Sequence, residues 1–212
     1  MDLTIISDTH GRHEELGTLC GEVLIHCGDM FNIFSRHKDE FARMDDWFAQ
    51  QDFEKIICIG GNHDFALQDK LRKTSTPFKN AIVLNGTSYA YKGVRFFGAP
   101  WVPELASHAF FVEDSELEDK WSQIPEETDI LITHTPPAGI LDVSSLGLKL
   151  GCPYLSARLE SVNPQLHCFG HVHASSGAQV KSKTTYINAS MVGRGPMYTI
   201  IRKPYTFHYA KV

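Results

Sequence analysis

Ile56-Ile57-Cys58-Ile59-Gly60-Gly61-Asn62-His63-Asp64 is the stretch from which the rest of this chain is read. A short apolar run closed by glycines reads as a buried strand, and here it leads directly into Asn, His and Asp. The same pattern recurs. Ile5-Ile6-Ser7 leads into Asp8-Thr9-His10, Leu24-Ile25-His26-Cys27 into Gly28-Asp29, Leu131-Ile132-Thr133 into His134, and His167-Cys168-Phe169 into Gly170-His171-Val172-His173. Five polar clusters at five strand ends converge on one rim of a sheet, which is where open α/β sheets bind ligands.

The apolar runs predict strands over residues 3–7, 23–27, 55–60, 130–133 and 166–170, with helices over 36–50, 115–123 and 153–161 between them. Residues 81–84, 88–91 and 94–97 alternate in polarity and are joined by Asn85-Gly86 and Lys92-Gly93, which predicts hairpins. Further strands are expected at 185–188, 197–202 and 205–209, the last two joined by Lys203-Pro204. The expected fold is α/β: a four-layer α/β/β/α sandwich of two mixed sheets flanked by helices, as one domain over residues 1–212. There is no internal repeat and no low-complexity segment.

Composition narrows the function. An apolar fraction of 42% and a charged fraction of 21% over 212 residues are those of a globular protein. The formal net charge of −5 argues against an extended nucleic-acid surface, which needs many Lys and Arg side chains. No apolar stretch is long enough to cross a bilayer, and the chain enters a strand at once without a basic segment and cleavage site. The five cysteines, Cys20, Cys27, Cys58, Cys152 and Cys168, are odd in number and scattered. A cytoplasmic protein without membrane attachment is therefore expected.

Taken singly, each polar cluster has a plain explanation. His10 alone reads as a surface or core residue, Gly-Asp and Gly-Asn-His as turn formers, and Asp64 as the N-cap of a following helix. Jointly, in this order and each after an apolar strand, they describe a metal centre. An Asp-x-His pair directs a carboxylate and an imidazole at one cation, and a carboxylate such as Asp29 can bridge two. Mixed oxygen and imidazole donors suit manganese, iron or zinc better than calcium, and the absence of Cys from the clusters argues against structural zinc.

In these residues the chain resembles the calcineurin-like metallophosphoesterases, whose signature runs Asp-x-His, Gly-Asp, Gly-Asn-His-Asp/Glu, His, Gly-His-x-His; every block is present in order from Asp8 to His173. The resemblance implies one metal held by Asp8, His10, Asp29 and His173, and a second held by Asp29, Asn62, His134 and His171. It also implies two divalent ions, with manganese or iron preferred and zinc admissible, and a bridging hydroxide as nucleophile. His63 would face the substrate as general acid. The family's protein phosphatases continue Gly-Asp-x-x-Asp-Arg-Gly, whereas this chain has Gly28-Asp29-Met30-Phe31-Asn32-Ile33-Phe34. Asn32 stands where those phosphatases orient the catalytic His and their Arg is missing. That departure counts against a protein phosphatase and leaves Asp64 as a candidate partner for His63.

Four further blocks, residues 6–10, 98–101, 134–137 and 185–190, are similar to the compact phosphodiesterases related to the class III cyclic-nucleotide phosphodiesterases and the brain metallophosphoesterase-domain proteins. The expected substrate is a small phosphodiester, with a cyclic nucleotide as one candidate. A phosphomonoesterase, a nucleotide pyrophosphatase and a non-catalytic scaffold are the alternatives. Arg12, Trp101 and His108 are candidate substrate contacts, with Phe110 and Arg194 beside them, and the loop over residues 138–151 is expected at the substrate entrance. Exposed strand edges leave room for a homodimer.

Overall fold

Strand β1 (Asp2–Ile6), β2 (Cys20–His26) and β3 (Asp52–Cys58) lie parallel, each burying its C-terminal half completely. These are strands covered on both faces, as continuous apolar runs require. The computed structural model describes residues 1–32, 39–103, 105–193 and 198–210. The remaining elements are α1 (Glu40–Ala49), α2 (Phe65–Leu71), β4 (Ile82–Val83), β5 (Thr87–Tyr91), β6 (Val94–Ala99), α3 (Asp114–Ser122), β7 (Ile130–Thr133), α4 (Pro153–Val162), β8 (Leu166–Phe169), β9 (Gly177–Lys181), β10 (Thr184–Asn188) and β11 (Tyr205–His208).

The first sheet has the order β11-β1-β2-β3-β4 and the second β5-β6-β7-β8-β10-β9. Both are mixed: β11 runs antiparallel on the first, and β5 and β9 antiparallel on the two edges of the second. Alternation along each strand sorts the side chains into three cores. Leu3, Ile5, Val23, Ile25 and Ile57 meet Phe96, Ile130, Ile132, Leu166 and Ile187 between the sheets. Outside the first sheet, Ile6, Leu24 and Ile56 pack under Met44, Trp47 and Phe48 of α1 and Leu67 of α2. Outside the second, Leu131 and Phe169 pack under Leu117 and Trp121 of α3 and Leu155 and Leu159 of α4. The molecule is thus the α/β/β/α sandwich that the sequence predicts, and no helix among the described residues is long and apolar enough to cross a membrane.

Three local expectations are corrected. Asn85-Gly86 does not close a hairpin. Leu84 N donates to Cys58 O, continuing the ladder of β3, whereas Gly86 N donates to Gly98 O, within the ladder of β6, so the chain passes between sheets at Asn85. Lys92-Gly93 does close one, with φ of 47° and 76°, the positive pair that a type I′ turn requires. The strand expected at 197–202 is absent over its described part: Tyr198 has φ 43°, outside the extended region, and Ile200 makes only a single bridge to Val192. The last strand pairs with β1 instead. β9 went unpredicted because Gly-Ala-Gln-Val-Lys carries almost no apolar alternation. The N-terminal end of the expected 36–50 helix lies outside the described residues, as does Arg194.

Candidate metal centre

Each parallel strand hands its polar cluster to the same rim. Asp8 follows β1, Asp29 follows β2, Asn62 and His63 follow β3, His134 is the residue after β7, and His171 and His173 follow β8. The loops are locked to one another by Asp8 N to Gly28 O (2.9 Å), His10 N to Asp29 O (3.0 Å) and His63 N to Asp29 Oδ1 (2.8 Å). Asp8, His10, Asp29 and His171 all have φ between 46° and 67°, a left-handed backbone costing of order 1 kcal/mol or more at each non-glycine residue. Close approach needs the neighbouring glycines. A Cβ on Gly61 would lie 2.3 Å from Asp29 Oδ1, and one on Gly170 2.2 Å from Asp8 Oδ2.

The donor atoms converge. Those of Asp8, His10 and His173 lie within 4.8 Å of one another, as do those of Asp8, Asp29 and His134, and of His10, Asp29 and His63. Asp29 Oδ2 sits centrally, 3.9 Å from His10 Nε2, 3.5 Å from His134 Nε2 and 3.8 Å from His63 Nε2. Asn62 Oδ1 is 2.9 Å from both His134 Nε2 and His171 Nδ1. His173 Nε2 is 3.3 Å from Asp8 Oδ1 and 3.3 Å from His10 Nε2.

This arrangement fits divalent cations. His134 Nδ1 lies 2.8 Å from Cys27 O and donates to it, which in a neutral ring turns the bare Nε2 toward Asn62 Oδ1. Two acceptors would then face each other there, and a second proton on the ring or a cation reconciles them. Electrostatics agree. Burial pushes the His134 pKa down, but the Asp29 carboxylate outweighs it and raises the imidazole to about 9, so this position seeks a positive charge. Burial likewise raises the Asp8 carboxyl, yet His173, His134 and His10 hold it well below the usual range. Burial lowers His171 to about 3 and His10 to about 4, leaving both as neutral lone-pair donors.

His63 lies at the edge of this cluster, its ring 4.7 Å from His10 and 6.0 Å from His108. Burial lowers its pKa, with the Asp29 charge pulling the other way. His63 Nδ1 has no hydrogen-bond partner among the described residues. Asp64 does not supply one: its carboxylate accepts from Phe31 N and Gly61 N, both at 2.9 Å. Nor does its side chain cap α2. Asp64 instead braces the loop after β2 against the loop after β3.

Of the three candidate substrate contacts, His108 comes beside His63, with ring centroids 6.0 Å apart. Arg12 Nη1 is paired with Glu15 Oε1 at 2.5 Å, and Trp101 is buried edge-on against Trp121, 5.0 Å between centroids. Phe110 is likewise a core residue, packed where a Cβ on Gly60 would strike its ring. Two site residues escaped sequence reasoning. Ser190 Oγ donates to Asp8 Oδ2 at 2.7 Å, and Tyr198 stacks on His10 at 4.0 Å. The strand-end rule applied to β10 points to Ser190; nothing in the sequence pattern marks Tyr198.

Comparison with known proteins agrees with this geometry. The chain is 34% identical over 212 residues to human metallophosphoesterase domain-containing protein 1, covering 88% of this chain and 64% of that protein, so it spans under two thirds of that relative's length. It is 30% identical over 226 residues to UPF0046 protein K07C11.7 of Caenorhabditis elegans, covering 100% of this chain and 76% of that one. In fold it is similar to the crystal structure of phosphopantetheinyl hydrolase from Mycobacterium tuberculosis, with a TM-score of 0.60 at 16% identity over 92% of this chain and 93% of the other. The profile of the calcineurin-like phosphoesterases matches residues 1–175, and the chain belongs to that family.

Proposed function

We propose that this protein hydrolyses a small phosphodiester at a centre of two divalent cations, manganese or iron by preference. Asp8, His10, Asp29 and His173 would hold one ion, and Asp29, Asn62, His134 and His171 the other. The observation that carries this reading is the central place of Asp29 Oδ2, within 4 Å of imidazole nitrogens from His10, His134 and His63. Bound there, divalent cations supply an acidified water and neutralise phosphoryl oxygens.

The chain's own residues supply the rest. The backbone amide of His63 is tied to Asp29, which fixes the imidazole at the rim of the donor cluster with Nε2 directed inward. In this reading His63 donates a proton to the oxygen that leaves phosphorus. The anionic substrate raises the His63 pKa when it binds, offsetting the burial that lowers it in the free protein. His108, its ring 6.0 Å from that of His63, is assigned to the substrate's departing group.

The test restores manganese to metal-stripped protein and compares bis-nitrophenyl phosphate with nitrophenyl phosphate. Metal-dependent diester cleavage is expected, falling roughly 10²- to 10⁴-fold in His63→Ala. Preference for the monoester would favour a phosphomonoesterase. Cleavage of neither ester with metal bound would leave a binding scaffold as the better account.

A further inference from the structure

The imidazoles of the centre are held in place in two different ways. His134 is fixed by a hydrogen bond from its second ring nitrogen to Cys27 O. A metal-binding histidine usually has such an anchor, because it sets both the tautomer and the direction of the ring. His10 has none: its Nδ1 is buried and has no partner among the described residues. Something else must stop this ring from rotating about its Cβ–Cγ bond.

The ring neighbours of His10 are His63 at 4.7 Å, His173 at 5.2 Å and Tyr198 at 4.0 Å. His63 and His173 meet it edge to face, at interplanar angles of 72° and 68°. Tyr198 alone lies parallel to it, at 17°. The same phenol ring stands edge-on to His63 and to His173, 5.9 Å from each. One tyrosine therefore touches three histidines of the centre.

Its own backbone is pinned where it must be for this. Gly193 N donates to Thr199 O at 3.0 Å and Ile201 N to Met191 O at 3.1 Å, so residues 191–193 and 199–201 run back along one another. Tyr198 sits at φ 43°, a conformation that bulky residues avoid unless their surroundings impose it. Arg202 closes the arrangement. Its guanidinium donates to the carbonyls of Ser190 and Val192, and at 2.9 Å to His173 O. The segment carrying Tyr198 is thus tied to Ser190, which holds Asp8, and to His173.

We infer that Tyr198 is the positioning residue of the cation site formed by Asp8, His10, Asp29 and His173, holding the His10 imidazole by stacking where His134 is held by a hydrogen bond. The inference rests on the two-cation reading above. It assigns the work to the ring face and not to the hydroxyl.

Manganese titration of the metal-stripped protein by calorimetry tests this without reference to turnover. Tyr198→Phe keeps the stacking face and is expected to bind both ions as the wild type does. Tyr198→Leu is expected to weaken one ion by about 10- to 100-fold, the usual cost of losing an outer-shell support, and to leave the other unchanged. The weakened ion should be the one abolished in His10→Ala. Urea unfolding of the metal-free variants controls for misfolding, and Tyr198→Trp, which also offers a stacking face, should restore the affinity lost in Tyr198→Leu. Wild-type affinity for both ions in Tyr198→Leu overturns the inference, as does a loss in Tyr198→Phe or Tyr198→Trp equal to that in Tyr198→Leu. A wild-type protein that takes up no manganese overturns the two-cation reading itself.

Discussion

The two sheets contribute different chemistry to one rim. Strand ends of the first sheet supply every oxygen donor, Asp8, Asp29 and Asn62, together with His10 and His63; strand ends of the second supply only imidazoles, His134, His171 and His173. The negative charge that attracts a cation therefore lies on one half of the sandwich, and much of the directional nitrogen coordination on the other. His134 and His171 show how local the consequence is. Both follow strands of the second sheet, yet the Asp29 carboxylate raises the buried His134 to about 9, while the half-buried His171, desolvation dominating, is lowered to about 3. In the proposed two-ion centre neither sheet alone would offer a complete set for either ion, so cation binding would couple the halves and should stabilise the fold by mass action.

The largest effect is expected where the charge is concentrated. Asp29→Asn keeps the shape but removes the shared carboxylate, and esterase activity should fall on the order of 10³-fold or more, the equivalent of several kcal/mol of transition-state stabilisation. Both ions should weaken, and the rise in melting temperature on adding manganese should vanish. His171→Ala, on the second sheet, should weaken one ion and retain part of that rise. Equal loss of both ions in the two variants would break the contrast between the sheets.

The donor clusters themselves were legible in the sequence as polar strand ends, but their division between two sheets was not, since the reading placed them on the rim of one sheet. The parallel strands announce themselves because Leu24-Ile25 or Ile130-Leu131-Ile132 must be buried on both faces, and a polar residue at the end of such a run can only lie on the rim. What could not be read lies where no period operates. Asn85 passes the chain between sheets through two backbone hydrogen bonds, which a turn signal cannot distinguish from a hairpin. Asp64 is spent on two backbone amides, and its choice of Phe31 and Gly61 depends on how two loops fold against each other. Tyr198 reaches His10 from far along the chain by a left-handed backbone turn.

A smaller effect is expected at the seam between the sheets. Ser7 and Ser190 form a single parallel bridge there, and the Ser190 hydroxyl, also 2.9 Å from Asn188 Oδ1, donates to Asp8. Ser190→Ala should cost about 10- to 100-fold in affinity for the ion at Asp8, and less at the other. Measured by calorimetry beside His171→Ala, it would show whether the seam serves one ion or both.

The last effect concerns the fold apart from the metal, and here the halves mirror each other. His26 of the first sheet and His167 of the second are both wholly buried, each with Nε2 against a threonine hydroxyl, Thr9 at 3.0 Å and Thr133 at 2.8 Å, and each with Nδ1 unpartnered among the described residues. Burial lowers both to about 3; Asp8 and Asp29 oppose it at His26, whereas burial acts alone at His167. A folded-state pKa below the unfolded value means that the unfolded chain binds the extra proton. The stability of keeping His167 neutral is therefore fully present above about pH 6.5 and is lost as the pH falls toward 3, at about 1.4 kcal/mol per pH unit in between. His167→Gln retains a donor for Thr133 and should remove this slope between pH 4 and 6 in urea unfolding of the metal-free protein, leaving stability less sensitive to acid than in the wild type. An unchanged slope would mean that His167 takes up its proton without unfolding, which a ring enclosed by Phe169, Tyr186 and Thr133 has no solvent to allow.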